Sequence, residues 1–183
     1  MIQITIALRS KMLKCGSEEN GFAVYQCLCC GKGEHKVNFS YKGKACPQCG
    51  KRYARDSMIK IAAKLLPGVS YRQVVLTLPS QLRTVFYKHP DKSKLYTKFM
   101  SLAHDCLEEV VQDLFKNTAY KIASIIFIHT HGRDGTYNPH LHVILGEGGF
   151  NPNNTWKTFR WLPLNKLRLL WKQHLLAMVE AEF

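Results

Sequence analysis

A chain of 183 residues with 46% apolar and 21% charged side chains has the make-up of a folded globular protein and excludes extended disorder. No apolar run approaches the roughly 20 residues that span a bilayer, and the N-terminus lacks the charged-then-apolar order of a secretory signal; no membrane partner and a cytoplasmic, nucleoid-associated location are expected. Twenty-six Lys and Arg against thirteen Asp and Glu give a formal net charge of +13, which points to a polyanionic partner bound through phosphate contacts, nucleic acid first.

Met1–Leu13 reads as a short strand or helix packed on the cysteine-rich segment after it. Cys15–Tyr53 is rich in Gly, Lys and Cys and poor in large aliphatics, so apolar burial alone gives it no core and a metal staple is expected instead. Cys27-x2-Cys30 is followed after fifteen residues by Cys46-x2-Cys49, the spacing of two knuckles that close tetrahedrally on Zn²⁺. Gly31 and Gly50 follow the two pairs where a positive φ is expected. Cys29 is an alternative to Cys30, and Cys15 and His35 are further alternative donors. Lys36, Lys42, Lys44, Lys51, Arg52 and Arg55, interleaved with Tyr41 and Tyr53, suit phosphate contact and base stacking. Residues 1–70 carry 12 basic and 4 acidic side chains and residues 71–183 carry 14 and 9, so the positive charge is denser in the shorter part.

Further along, Met58, Ile59, Ala62, Ala63 and Leu66 predict a helix over Arg55–Leu66, stopped by Pro67-Gly68. Tyr71–Leu78 is a β-branched, apolar strand ended by Pro79. Leu95, Phe99, Leu102, Cys106, Val110 and Leu114 recur at helical spacing across Ser93–Phe115. Ile122–Thr130 suits a buried strand. A loop over His131–Pro139 then leads to an adjacent antiparallel strand, Leu141–Leu145, closed by the turn Gly146-Glu147-Gly148-Gly149. A last helix comes after Pro163, with Leu164, Leu167, Trp171, Leu175 and Met178 on its apolar side. The chain divides into a zinc-binding module (1–54), a connecting helix and linker (55–70) and a second domain (71–183).

Four of the eight histidines lie between positions 129 and 142. His140 and His142 flank Leu141, so the two-residue period of a strand points both imidazoles to one face while Leu141 enters the core. His129 and His131 share a face for the same reason. If the two strands are neighbours, three imidazoles converge on one divalent cation, a site able to polarise a phosphodiester. Arg133 in the intervening loop adds positive charge.

Together CLCCG, ACPQCG, VVLTLP, IIFIHTHGRDGTYNPHLHVILGEGG and FRWLPLNKLRLLWKQHLL resemble, in this order, the rolling-circle insertion-sequence transposases of the two-tyrosine, His-hydrophobe-His type with an N-terminal zinc-binding domain. The resemblance implies an α+β fold: a small zinc-ribbon-like module, then a partial palm-like (ferredoxin/RRM-like) antiparallel sheet with packed helices. It implies Zn²⁺ on Cys27, Cys30, Cys46 and Cys49, and Mg²⁺ or Mn²⁺ on His140 and His142 with His129 as third ligand and His131 as the alternative. The implied partner is DNA, preferentially single-stranded ends of a mobile element, cut through a phosphotyrosine. Where relatives carry another Cys or a His, this sequence has Tyr41. The family's nucleophilic tyrosine lies well downstream of the histidine pair, and no tyrosine follows Tyr137, so the sequence reads as an N-terminal fragment with no identified nucleophile. Two other readings compete. A zinc-ribbon adaptor leaves the histidines idle, and a histidine-triad nucleotide hydrolase needs a histidine where Ile144 stands.

Overall fold

The structure is a computed structural model in which residues 11–43 and 46–182 are described; Lys44 and most of the expected Met1–Leu13 element lie outside the described residues. The backbone forms two compact units, Met1–Leu66 and Pro67–Phe183.

In the first unit a single 3-10 turn, Glu18–Asn20, precedes an antiparallel hairpin of β1 (Phe22–Gln26) and β2 (Glu34–Asn38), paired from Phe22↔Asn38 to Gln26↔Glu34. Helix α1 (Pro47–Ala62) comes next. It starts eight residues before the helix expected at Arg55, because Cys46 takes the extended N-cap conformation and Pro47 sits at the first helical position, where a missing N–H costs nothing. The two cysteine knuckles therefore differ. Gly31 turns at φ +62° as anticipated, whereas Gly50 lies inside the first turn of α1 and is not among the positive-φ glycines. The described residues of this unit bury only Cys15, Cys46 and Cys49, with Met12 and Tyr41 half-buried against them.

The second unit is α+β. Strands β3 (Tyr71–Thr77), β4 (Ser124–His131) and β5 (Tyr137–Gly146) form an antiparallel sheet in the order β3-β5-β4. One face, carrying Val74, Leu76, Leu141, Val143, Ile126 and Ile128, packs on α2 (Ser80–Lys88), α3 (Lys92–Phe115) and α4 (Leu164–Glu182). Phe86, Phe99 and Trp171 fill the space beneath it, Phe99 lying 5.4 Å from Phe86 and 5.3 Å from Trp171 between ring centroids. The Trp171 indole N–H also donates to Thr77 O at 3.1 Å, fixing α4 to the edge strand β3. At its far end α4 is held by Glu182, which receives Lys98 and faces His89.

Several boundaries differ from those read in the sequence. The loop expected over His131–Pro139 shrinks to Gly132–Thr136, because β4 extends to His131 and β5 begins at Tyr137. Asp134 Oδ1 closes this turn by accepting from the backbone N–H and hydroxyl of Thr136. Those Thr136 bonds are the main reason the Asp134 carboxyl titrates below the usual range. Helix α2 had no sequence counterpart; at nine residues it is too short for a periodic signal, and Pro79 read only as a strand stop. The expected turn at Gly146–Gly149 is the start of a small hairpin, β6 (Gly148–Phe150) with β7 (Trp156–Thr158). Gly148 allows the close approach there, since a Cβ would stand 2.4 Å from Lys157 O and 2.6 Å from the Trp156 ring. Among the described residues no helix is long and apolar enough to cross a membrane.

Candidate metal centres and nucleic-acid interface

The face of the sheet turned away from the helices carries the histidines. Residues Gln73 and Val75 of β3, Phe127 and His129 of β4, and His140 and His142 of β5 alternate with the core residues. His129 is paired with His140, and Phe127 with His142, so one sheet register brings three imidazoles together. Their ligand nitrogens lie within 4.8 Å of one another, and the ring centroids are 4.4 Å (His129–His142), 5.0 Å (His140–His142) and 5.2 Å (His129–His140) apart. No carboxylate belongs to the group.

His131 stands apart from it. The register shifts between His129 and His131, two residues along β4 being matched by three along β5, so His131 is set opposite Tyr137 and lies outside the group of three. His131 is exposed, within hydrogen-bonding distance of the Thr130 hydroxyl, and its ring is 5.8 Å from that of Tyr137.

Hydrogen bonds prepare the three rings unequally. His140 Nδ1–H donates to Asn138 O at 2.7 Å, which puts the proton on Nδ1 and leaves the Nε2 lone pair for a ligand. Gln73 places its amide nitrogen 2.8 Å from His142 Nδ1. Burial, then the neighbouring His129 and His140, lower the pKa of His142 and favour the neutral ring that metal ligation requires. The donor set therefore fits a divalent cation.

In the first unit the thiols gather differently from the reading by spacing. Cys15, Cys46 and Cys49 are buried with their sulfurs within 4.8 Å of one another. The Cys15 and Cys49 sulfurs are 3.6 Å apart, close to the roughly 3.8 Å between thiolates sharing a tetrahedral Zn²⁺ at about 2.3 Å. The Tyr41 N–H donates to Cys15 Sγ at 3.3 Å. Cys46 is lowered from the ordinary thiol range, chiefly by the Cys49 amide; at Cys15 the Tyr41 amide opposes burial and the neighbouring thiols, which win and raise it. These three sulfurs fit three of the four positions around a zinc ion. Cys27, Cys29 and Cys30 are exposed on the turn between β1 and β2, outside this group. There the amides of Cys30 and Cys29 point at Cys27 and lower its pKa. Cys106 is a core residue whose thiol burial pushes up to about 12.

Comparison with known proteins gives matches in both units. Residues 4–78 match the family described as "Transposase zinc-binding domain", and residues 124–183 the family described as "Putative transposase". Each unit of the chain thus carries a stretch that matches a transposase family. The chain is 29% identical over 156 residues to "Transposase for insertion sequence element IS801" of Pseudomonas savastanoi pv. phaseolicola, covering 84% of the chain and 36% of that protein. It is 27% identical over 173 residues to "Putative transposase y4qJ" of Sinorhizobium fredii (strain NBRC 101917 / NGR234), covering 92% of the chain and 42% of that protein. The chain thus spans less than half the length of either relative. No solved structure matches it significantly.

The basic residues expected to contact DNA are unevenly free. Lys51, Arg52 and Arg55 are exposed along α1, and Arg52 lines a cavity of about 210 Å³ with Lys42 and Tyr53. The Tyr53 hydroxyl donates to Lys42 O. Lys36 is already engaged, 2.6 Å from Glu18 and 3.8 Å from the centre of the Phe22 ring. Arg133 is exposed in the Gly132–Thr136 turn. Sequence reasoning missed Gln73, although its place two residues before Val75 on a strand paired with β5 puts it on the histidine face.

Proposed function

We propose that the chain is the metal- and DNA-binding part of a transposase acting on single-stranded DNA, with a zinc module, a connecting helix and a nuclease-like domain from about residue 71. The observation that carries this reading is the convergence of His129, His140 and His142 on the open face of an antiparallel sheet in a chain of net charge +13. In this reading Cys15, Cys46 and Cys49 hold a structural Zn²⁺, and the three imidazoles hold Mn²⁺ or Mg²⁺. A divalent cation bound there supplies Lewis-acid polarisation of a phosphate oxygen. The chain's own part is to orient the rings, through Asn138 O and Gln73, and to attract the DNA backbone through Lys42, Lys51, Arg52, Arg55 and Arg133.

Nicking and rejoining through a phosphotyrosine, as in rolling-circle transposition, is assigned to the longer proteins of this kind. Tyr137 is not assigned as their nucleophile. Its hydroxyl lies 2.8 Å from that of Tyr96, and burial, then this hydrogen bond, hold the phenol above its usual range and disfavour the phenolate. The test is a labelled single-stranded oligonucleotide incubated with the chain and Mn²⁺. Binding tighter than to duplex, with no denaturant-resistant adduct, is expected. Failure to bind single strands sinks the DNA reading, and an adduct mapped to Tyr137 reverses its exclusion.

Gln73 offers a finer check. As placed, its amide N–H donates to His142 Nδ1, which leaves the ring proton on Nε2. Turning the amide end for end presents Oε1 to an Nδ1–H and frees Nε2 for the ion. Gln73→Ala is expected to weaken Mn²⁺ binding about 10- to 100-fold by calorimetry, and Gln73→Glu, which keeps the acceptor, to recover most of it. Equal affinity in all three forms removes Gln73 from the centre.

A further inference from the structure

Between α2 and the start of β5 lies an open cavity of about 270 Å³ lined by Arg83, Thr84, Tyr87 and Tyr137. Its size lies just under the roughly 300–1,000 Å³ of small-molecule sites, which suits one flat ring and its attached phosphate better than an extended ligand. Arg83 and Tyr87 are one helical turn apart, so they share a face of α2. Tyr87 is 57% exposed although it is a large aromatic, and its ring stands 5.1 Å from that of Tyr137 in an edge-on arrangement. The ammonium of Lys92 lies 4.5 Å from the Tyr87 ring centre. Arg83 Nε is buried and has no hydrogen-bond partner among the described residues, an expensive arrangement for a cationic donor. No carboxylate lines the cavity; the nearby Asp134, which feels the Arg83 charge, is committed to Thr136.

An exposed aromatic ring, the neighbouring Lys92 ammonium and a guanidinium with an unused donor, at a cavity without acids, form a complementary surface for a nucleotide. We infer that this cavity is a subsite for one nucleotide of single-stranded DNA, its base stacked on Tyr87 and its phosphate received by Arg83. Tyr137 links the subsite to the proposed metal centre: its ring backs Tyr87, and it precedes His140 by three residues on β5. The inference rests on the DNA reading above and adds where on the second unit the strand is gripped. Stacking needs an unpaired base, so the subsite also accounts for a preference for single strands over duplex.

The experiment measures binding of the full chain, with EDTA excluded and no cleavage required, to a fluorescein-labelled 20-mer of single-stranded DNA, by anisotropy. A second oligonucleotide carrying 2-aminopurine reports stacking by quenching. Tyr87→Ala is expected to weaken binding about 5- to 150-fold, the range of a lost base–aromatic stack, and to abolish part of the quenching, whereas Tyr87→Phe retains both. Arg83→Gln is expected to reduce the slope of log affinity against log salt by about 0.7, one phosphate contact on a single strand. Tyr87 is exposed, so its variants are expected to keep the far-ultraviolet circular dichroism of the parent. If the parent binds and Tyr87→Ala binds equally well with the quenching intact, the subsite is wrong while the DNA reading stands. If the parent binds no single strand, both fall.

Discussion

Cys46→Ser is expected to unfold the N-terminal unit and release its zinc, while the C-terminal unit stays folded. The reason is the scarcity of other buried groups. Among the described residues of that unit only Cys15, Cys46 and Cys49 are buried, and Phe22, Val24, Tyr25, Val37, Phe39, Met58 and Ile59 are all exposed. The hairpin β1–β2 is two strands wide, an arrangement that is marginal in water without further packing. Structural zinc contributes on the order of 10–16 kcal/mol of apparent binding energy in small metal modules near neutral pH, more than any single side-chain contact in this unit supplies. Cys46 holds its place twice, as a thiol of the buried group and as the N-cap from which α1 starts. Zinc content by atomic absorption and amide spectra of the unit read the result, with Cys106→Ser as the thiol control from the other unit. Cys15→Ser is expected to behave like Cys46→Ser. Cys27→Ser, on the exposed turn, is expected to leave the unit folded. If Cys27→Ser unfolds the unit as Cys46→Ser does, the four-cysteine set read from spacing is the right one. If Cys46→Ser keeps zinc and fold, the buried thiols are not the staple.

How far the sequence reached can be seen residue by residue. The burial of Leu141 between two outward imidazoles came from the two-residue period of a strand, and the pairing of β4 with β5 from the loop that joins two consecutive strands. The long helix α3 was legible because seven buried positions, from Leu95 to Val111, repeat at helical spacing over 24 residues. What alternation could not reveal was its interruption. The register shift after His129 sets His131 opposite Tyr137 and outside the group; its extra residue lies on the central strand β5, where Pro139 was the compositional mark of a bulge. Spacing likewise gave the two Cys-x2-Cys knuckles but not their partners, since which thiol meets Cys46 depends on where the chain before β1 returns. Cys15 reaches the site through a backbone path that begins 31 residues before Cys46, and local sequence carries no record of that. The start of α1 went unread because the apolar period begins only at Met58, whereas the helix starts at Pro47, an initiator at the first helical position. The nucleotide cavity was invisible for the same kind of reason: Arg83 and Tyr87 belong to a nine-residue helix with no periodic signal, and Tyr137 lay in what read as loop.

His140→Ala is expected to weaken Mn²⁺ binding at the histidine centre by more than about 100-fold, beyond the 10- to 100-fold that loss of an outer hydrogen-bonding partner costs. His140 completes the triangle, 5.2 Å from His129 and 5.0 Å from His142. Its Nδ1–H is anchored on Asn138 O, so it is the ring whose tautomer is fixed by the backbone and the one whose Nε2 is ready without rearrangement. Removing it leaves two imidazoles, one of them dependent on the Gln73 amide. The fold should tolerate the change, because the side chain lies on the open face and the loss is one hydrogen bond, about 0.5–1.5 kcal/mol. Urea denaturation therefore reports a modest shift while Mn²⁺ titration followed by electron paramagnetic resonance reports a large one. His131→Ala, displaced by the bulge, is expected to change neither. Zinc in the cysteine group is expected to stay, which separates the two metals in one protein. If His140→Ala binds Mn²⁺ and single-stranded DNA as the parent does, the histidines are structural and the chain is better read as a zinc-dependent DNA adaptor. If His131→Ala loses Mn²⁺ while His140→Ala keeps it, the bulge does not persist in solution and the ligand set must be redrawn around the outer pair.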